Sequence, residues 1–353
     1  MNLIFNRESN NIQMKLNMKK KSVLWMTYLA GILSALLPAS CDTITEDLQP
    51  CEYYVNFRYD YNMKFADAFP GENSQVENIT LFIFDANGVY MGKLEKNGPF
   101  AEGYLMPFTP GAGTYKLVAW AGLSASLDSY EVPVLEEGVS RIEDLTVKLK
   151  RAAGGLMGNE ANHLFHSLAE EVTVPEGGHH THEMSLVKDT NKFRIILQMM
   201  GQDFPAELDD VNISITDENG FLNYDNTLLT DETLTYRPYV KSDHYVSNGS
   251  NGQIKVLAFE LNTLRLMATR HPHLTISYAS GGSTVTIADI DLIEYLLLMR
   301  MDEYSDMGNQ EYLDREDEFP MIFFLAENAK GDYVAVRLEI NAWAVRLTQK
   351  EDL

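Results

Sequence analysis

The chain has 353 residues, 28 Lys+Arg against 51 Asp+Glu, a formal charge of −23, and 2 cysteines. With 45% hydrophobic residues, 16 Phe and 18 Tyr, it can bury a core large enough to offset chain entropy, which excludes a disordered polymer. The acidic balance argues against nucleic acid, because phosphate binding needs clustered Lys/Arg, and two cysteines cannot build a disulfide scaffold. The length fits two domains of ordinary size.

The N-terminus carries the most specific signal. Lys19, Lys20 and Lys21 precede a run at 23–37 that is apolar apart from Thr27, Tyr28, Gly31 and Ser34, and Pro38, Ala39, Ser40 and Cys41 follow. A positive block, a short apolar stretch and small residues form the plan of a secretory signal peptide. The run is too short for a membrane anchor, which needs about 20 apolar residues. Small residues directly before a cysteine resemble a bacterial lipobox, with Cys41 acylated as the mature N-terminus; Pro38 departs from the pattern, where Leu is commoner. The other reading is an ordinary signal peptide with Cys41 incidental. Met18 immediately precedes the Lys block, so the expected start is there and 1–17 is an extension. Residues 1–40 are expected to be removed, and 41–51 to form a lipidated tether whose Glu46-Asp47 pair resembles the acidic signals of Bacteroides-type surface lipoproteins. With Cys41 acylated, Cys51 is expected as a free thiol, with an intermolecular disulfide as the alternative.

Beyond the tether, Tyr53, Val55, Phe57, Tyr59 and Tyr61 alternate with polar neighbours, the period of a half-buried strand. Similar patterns predict strands at 78–84, 115–120, 142–150, 192–198, 211–216, 253–260, 273–278, 321–325 and 333–340. Their spacing favours β-sandwiches over βαβ units. The sequence Asp85-Ala86-Asn87-Gly88 recurs, one domain length later, as Asp217-Glu218-Asn219-Gly220, each between strand-like runs. Asp bonding to amides ahead of it, with Asn and Gly tolerating positive φ, predicts two hairpin turns and two similar domains, 52–188 and 189–353. A calcium loop would need further oxygen ligands and a terminal Glu, which neither copy supplies. Helix is sparse: Asp291 is placed to cap a helix carrying Leu292, Ile293, Leu296 and Leu297 inward, and 310–318 reads as a charged turn or helix.

Chemistry-bearing clusters are few. His179, His180, His182 and Glu183 follow Gly177-Gly178 and predict an exposed hairpin tip; the His-Glu-x-x-His spacing of a zinc helix fails at Leu186. His163 with His166, and His271 with His273, lack convergent partners in sequence. Neither Gly-x-Ser-x-Gly nor a phosphate-binding loop is present, and acidic pairs such as Asp209-Asp210 and Glu316-Asp317 are too numerous to nominate a dyad. No catalytic, cofactor-binding or metal-ligating residue is expected. Trp120 and Trp343 both fall in strand-like alternation and are expected in the core, which argues against an aromatic glycan platform.

Cys41, the segment Asp47-Leu48-Gln49-Pro50-Cys51, the turn at Phe84-Asp85-Ala86-Asn87-Gly88, Leu164-Phe165-His166, Gln310-Glu311-Tyr312-Leu313-Asp314-Arg315 and Ile340-Asn341-Ala342-Trp343-Ala344-Val345-Arg346-Leu347 together resemble the FimB-type fimbrial anchor lipoproteins of Bacteroides and Porphyromonas relatives. The resemblance implies an outer-membrane lipoprotein of two tandem transthyretin-like β-sandwich domains. Such a protein holds the base of a surface fimbria, accepts the first stalk subunit through strand addition, and needs no cofactor or small-molecule substrate. The alternative is a tip adhesin or glycan-binding lipoprotein built from the same sandwiches.

Overall fold

Period-two alternation becomes strand at the first opportunity: in the computed structural model, Tyr53, Val55 and Phe57 are buried along β1 (Glu52–Arg58), while Glu52 and Arg58 face solvent. The structure describes residues 51–59, 75–101, 103–123, 127–247, 252–298, 300 and 304–340, with the backbone of 343–346, all within the unit Pro50–Leu353. After β1 come β2 (Asn78–Asp85), β3 (Tyr90–Asn97), β4 (Met106–Pro107), β5 (Gly113–Ala121), β6 (Tyr130–Glu131), β7 (Thr146–Leu149), β8 (Leu156–Met157), β9 (Phe165–Val174), β10 (His179–Ser185) and β11 (Val187–Lys188). The second run is β12 (Thr190–Met199), β13 (Val211–Asp217), β14 (Phe221–Asn223), β15 (Leu234–Tyr236), β16 (Val240–Ser247), β17 (Gln253–Leu264), β18 (His273–Ser280), β19 (Ser283–Asp291), β20 (Glu318–Glu327), β21 (Tyr333–Ile340) and β22 (Trp343–Arg346). Two short helices, α1 (Leu292–Leu298) and α2 (Asn309–Arg315), lie between β19 and β20. The protein is all-β, built of tandem sandwiches with little helix.

In the first sandwich, sheet β10-β1-β4 faces sheet β11-β9-β5-β2-β3. Successive β5 residues serve two cores: Leu117, Ala119 and Ala121 pack with Val55 and Phe57, while Val118 and Trp120 point the other way. That second face continues through the small sheet β14-β7-β6 into the second sandwich, made of β16-β17-β12-β20-β21-β22 and β19-β18-β13-β15-β8. Strands buried on both faces need continuous apolar runs, and Leu117 to Ala121 is one.

Two local expectations change. The run expected as strand from Ile142 opens instead as a 3₁₀ turn at Ile142–Asp144, because Asp144 accepts the Arg141 backbone N–H at 2.8 Å and Arg141 Nη2 donates to the Asn87 carbonyl at 2.9 Å. The first Asp-x-Asn-Gly does close the β2–β3 hairpin: Asp85 Oδ1 accepts from the Asn87 and Val89 amides at 2.9 and 2.8 Å, and Gly88 sits at φ +80. The second does not, since β13 pairs with β15 and β18 while β14 pairs with β7. Its Asp217 binds Arg270 Nε at 2.7 Å and its Asn219 donates to the Leu264 and Arg265 carbonyls, so tertiary partners replace the local turn. Gly220 is needed for space instead, because a Cβ there would stand 2.5 Å from Leu234 Cδ1. The Asp291 cap is present, its Oδ1 accepting the Glu294 amide at 3.1 Å.

A buried polar network fills the joint after β11. Asp189 Oδ1 accepts from Asn226 Nδ2 at 2.8 Å, Arg265 Nη1 donates to the Asn226 carbonyl at 2.5 Å, and Arg265 grips Asp314 of α2 through two bonds of 2.9 and 2.7 Å. Burial pushes the Asp189 carboxyl up to about 7, against the opposing pull of Arg265. A carboxyl raised on folding contributes stability that is present below its unfolded value, near 4, and is lost as pH rises through 7. Asp189→Asn is therefore expected to gain stability relative to the parent as pH rises from 4 to 7. Melting curves at several pH values test this, and a constant difference across that window would refute it.

Candidate functional site

A sheet edge is reactive because its amides and carbonyls lack partners. β3 occupies such an edge: residues 91–97 pair with β2 on one side and, among the described residues, with no strand on the other. Its start is closed, since the Tyr90 amide donates to the Ser140 carbonyl and the Gly138 amide to the Tyr90 carbonyl, both at 2.8 Å. The free edge begins after that clasp.

Alongside this edge runs a cavity of about 320 Å³. Its floor is Thr80 and Phe82 of β2, Tyr90 and Leu123; its far wall is Tyr130 of β6 with Val132, Pro133, Val134 and Leu135. Lys93 and Glu95 of β3, paired to each other at 2.6 Å, form part of the polar rim with Asp128. Tyr130 is fixed by its hydroxyl donating to the Asn162 carbonyl at 2.5 Å, and burial pushes that phenol well above its ordinary value. Val134 is 98% exposed, an apolar side chain at the mouth of the cleft. A free strand edge beside a cleft with an apolar floor and a polar rim is suited to an extended peptide: backbone bonds form along β3, and alternate side chains descend into the cleft.

The residues singled out by sequence divide differently. Cys41, the expected lipidation site, lies outside the described residues. Cys51 is a free, partly buried thiol packed against the first core. The histidine cluster is not a hairpin tip: β10 runs parallel to β1, with His179 Nδ1 3.2 Å from Glu52 Oε2, His182 Nε2 2.7 Å from Glu170 Oε2, and His180 stacked on Tyr53. Alternation places His180 and His182 on one face of β10 and His179 on the other, and each imidazole has a different partner. His166 is buried against Trp120 at 4.3 Å and donates from Nε2 to the Tyr224 carbonyl; burial pulls its imidazole down to about 3, so it stays neutral. His271 and His273 pair with Asp291 and Asp289 at the surface. Trp120 is fully buried as expected; the side chain of Trp343 lies outside the described residues. No helix among the described residues is long and apolar enough to cross a membrane. The β3 groove escaped the sequence reading, and its one local sign was the Asp85–Gly88 turn that creates the strand.

Comparisons with known proteins follow this geometry. The family described as fimbrillin-A associated anchor proteins Mfa1 and Mfa2 matches residues 46–349. A candidate polysaccharide-binding protein from Bacteroides thetaiotaomicron is 33% identical, with 85% of this chain and 99% of that one covered and a TM-score of 0.73. A candidate adhesin from the same organism is 31% identical, with coverages of 86% and 100% and a TM-score of 0.73. The fimbrial anchor protein Mfa2 from Porphyromonas gingivalis, at 18% identity, shares the fold with a TM-score of 0.62 over 84% of this chain and 99% of that one. No curated protein matches.

Proposed function

Because the chain belongs to the family of fimbrillin-A associated anchor proteins Mfa1 and Mfa2, we propose that it is an outer-membrane lipoprotein, held by lipid on Cys41, that anchors the base of a surface fimbria by accepting the first stalk subunit through strand addition. One observation carries the accepting role: β3 combines a free edge with an adjoining cleft that has an apolar floor at Phe82 and Leu123 and a polar rim. β1 already occupies the centre of its own sheet, with β10 and β4 on either side, so an incoming strand must seek an edge rather than a vacated centre. The lipid role rests on the signal-like segment ending at Cys41.

We assign 52–188 and 189–353 as the two domains. The sheets support this division, with two exchanges across it: β8 joins β15 of the second sandwich, and β14 joins β7 of the first. The polysaccharide-binding description of one relative names the competing reading. Against it, Phe82, Tyr90 and Tyr130 are buried in the cleft walls and Trp120 is enclosed, so none of these four presents a face to a sugar ring.

Val134→Arg tests the groove without touching the core. Burying one Val contributes about 1.5 kcal/mol, so binding of purified stalk subunit, followed by surface plasmon resonance, is expected to weaken roughly tenfold. Unchanged affinity would move the accepting surface elsewhere.

A further inference from the structure

Lys188 ends β11 in the first sandwich, and Asp317 directly precedes β20 in the second. Their side chains, 2% and 4% exposed, form an ion pair from Lys188 Nζ to Asp317 Oδ2. Gln75 Oε1 accepts a second hydrogen bond from the ammonium at 2.8 Å, and the Phe165 ring lies 6.0 Å away. Asp317 Oδ1 is buried with no hydrogen-bond partner among the described residues. Both backbones are fixed, Lys188 by pairing with Phe165 of β9 and Asp317 by its carbonyl accepting the Lys192 amide at 2.8 Å. Two opposite charges out of water recover little of their lost hydration, and a bare carboxylate oxygen deepens the deficit. An amide in their place would remove both charges, leave a neutral carbonyl at the bare position, and keep one N–H for Gln75.

We propose that Lys188 and Asp317 condense to an intramolecular isopeptide bond. A proton passes from the ammonium to Asp317 Oδ2, leaving a neutral amine against a neutral carboxyl. The amine lone pair attacks Cγ to form the N–C bond. A second proton moves from nitrogen to the departing hydroxyl, the C–O bond breaks, and one water leaves. Charge and atoms balance, and no oxidant or co-reactant is consumed. Gln75 orients the nitrogen by accepting from it. Lys188 and Gln75 line, with His163, a cavity of about 120 Å³ that can take the water. Reactants held on two rigid ladders need no search for each other, the condition under which an intramolecular condensation proceeds. The bond would close a span of 129 residues and tie one sandwich covalently to the other, a link that the chain's 2 cysteines do not supply.

The test is a tryptic digest of the full chain followed by mass spectrometry. The expected product is a branched peptide joining the Lys188 and Asp317 segments, one water lighter than its two parts, with no cleavage after Lys188. Lys188→Arg and Asp317→Ala should each abolish it. Separate linear peptides from the parent protein, cut after Lys188, would overturn the proposal, as would a branched peptide that survives either substitution.

Discussion

Trp120→Ala is expected to destabilise the protein by about 3–5 kcal/mol, the range for removing a large aromatic side chain from a packed core. Trp120 is fully enclosed on β5, on the face that packs toward the small sheet and the second sandwich. Its ring lies 4.3 Å from His166, which is held by a 2.8 Å bond to the Tyr224 carbonyl beyond β14. The substitution therefore opens a cavity and removes the surface on which His166 rests. Trp120→Phe should recover much of the loss, since it restores apolar volume without an indole N–H that has no hydrogen-bond partner among the described residues. Urea denaturation measures both variants, and a cost below about 1 kcal/mol for the alanine would show that neighbouring side chains collapse into the space.

The second large effect is expected at the N-terminal side, at Cys41. In the proposed anchor only a thiol at the cleavage junction can take the diacylglycerol, so Cys41→Ala should abolish incorporation of labelled fatty acid and shift the protein from membrane to soluble fractions. Attachment scales with buried acyl carbon, about 0.8 kcal/mol per CH₂, so losing the chains leaves nothing comparable behind. Fatty-acid label that persists in the variant would rule out the lipobox assignment.

The sequence signals that transferred best were those in which one strand's side chains report its own burial. β1, β5, β12, β13, β17, β20 and β21 alternate or run apolar because they face cores, and all fall where expected. β16 and β19 were missed, and β3 was foreseen only as the second arm of the Asp85–Gly88 hairpin, for the converse reason: all three are edge strands, and runs such as Met91-Gly92-Lys93-Leu94-Glu95-Lys96 carry a weak apolar period. β8 and β14 have two and three residues, too few for any period to show, yet they make the exchanges between sandwiches. The second Asp-x-Asn-Gly shows the limit of turn chemistry, because Arg270 and the Leu264 carbonyl outcompete a local hairpin that is favourable on its own. The β3 groove depends on which strand lies at a sheet end and which loop stands opposite, relations that no short segment encodes.

The parallel pairing of β1 with β10 gives the anchor a mechanical property. Seven pairs run from Glu52 with His179 to Arg58 with Ser185, so the tether enters at one end of the pair while the chain leaves β10 for the second sandwich at the other. In the proposed anchor, a pull on the lipidated end against the body of the protein draws β1 along β10 and loads all seven pairs in shear together. Peeling from one end would break them singly at low force. Withdrawal must also drag Tyr53, Val55, Phe57 and Tyr59 out of the core at once, so resistance is governed by a cooperative rupture rate rather than by the weakest bond. In the proposed anchor, the strand that follows the lipidated segment is seated to act as a tensile coupling.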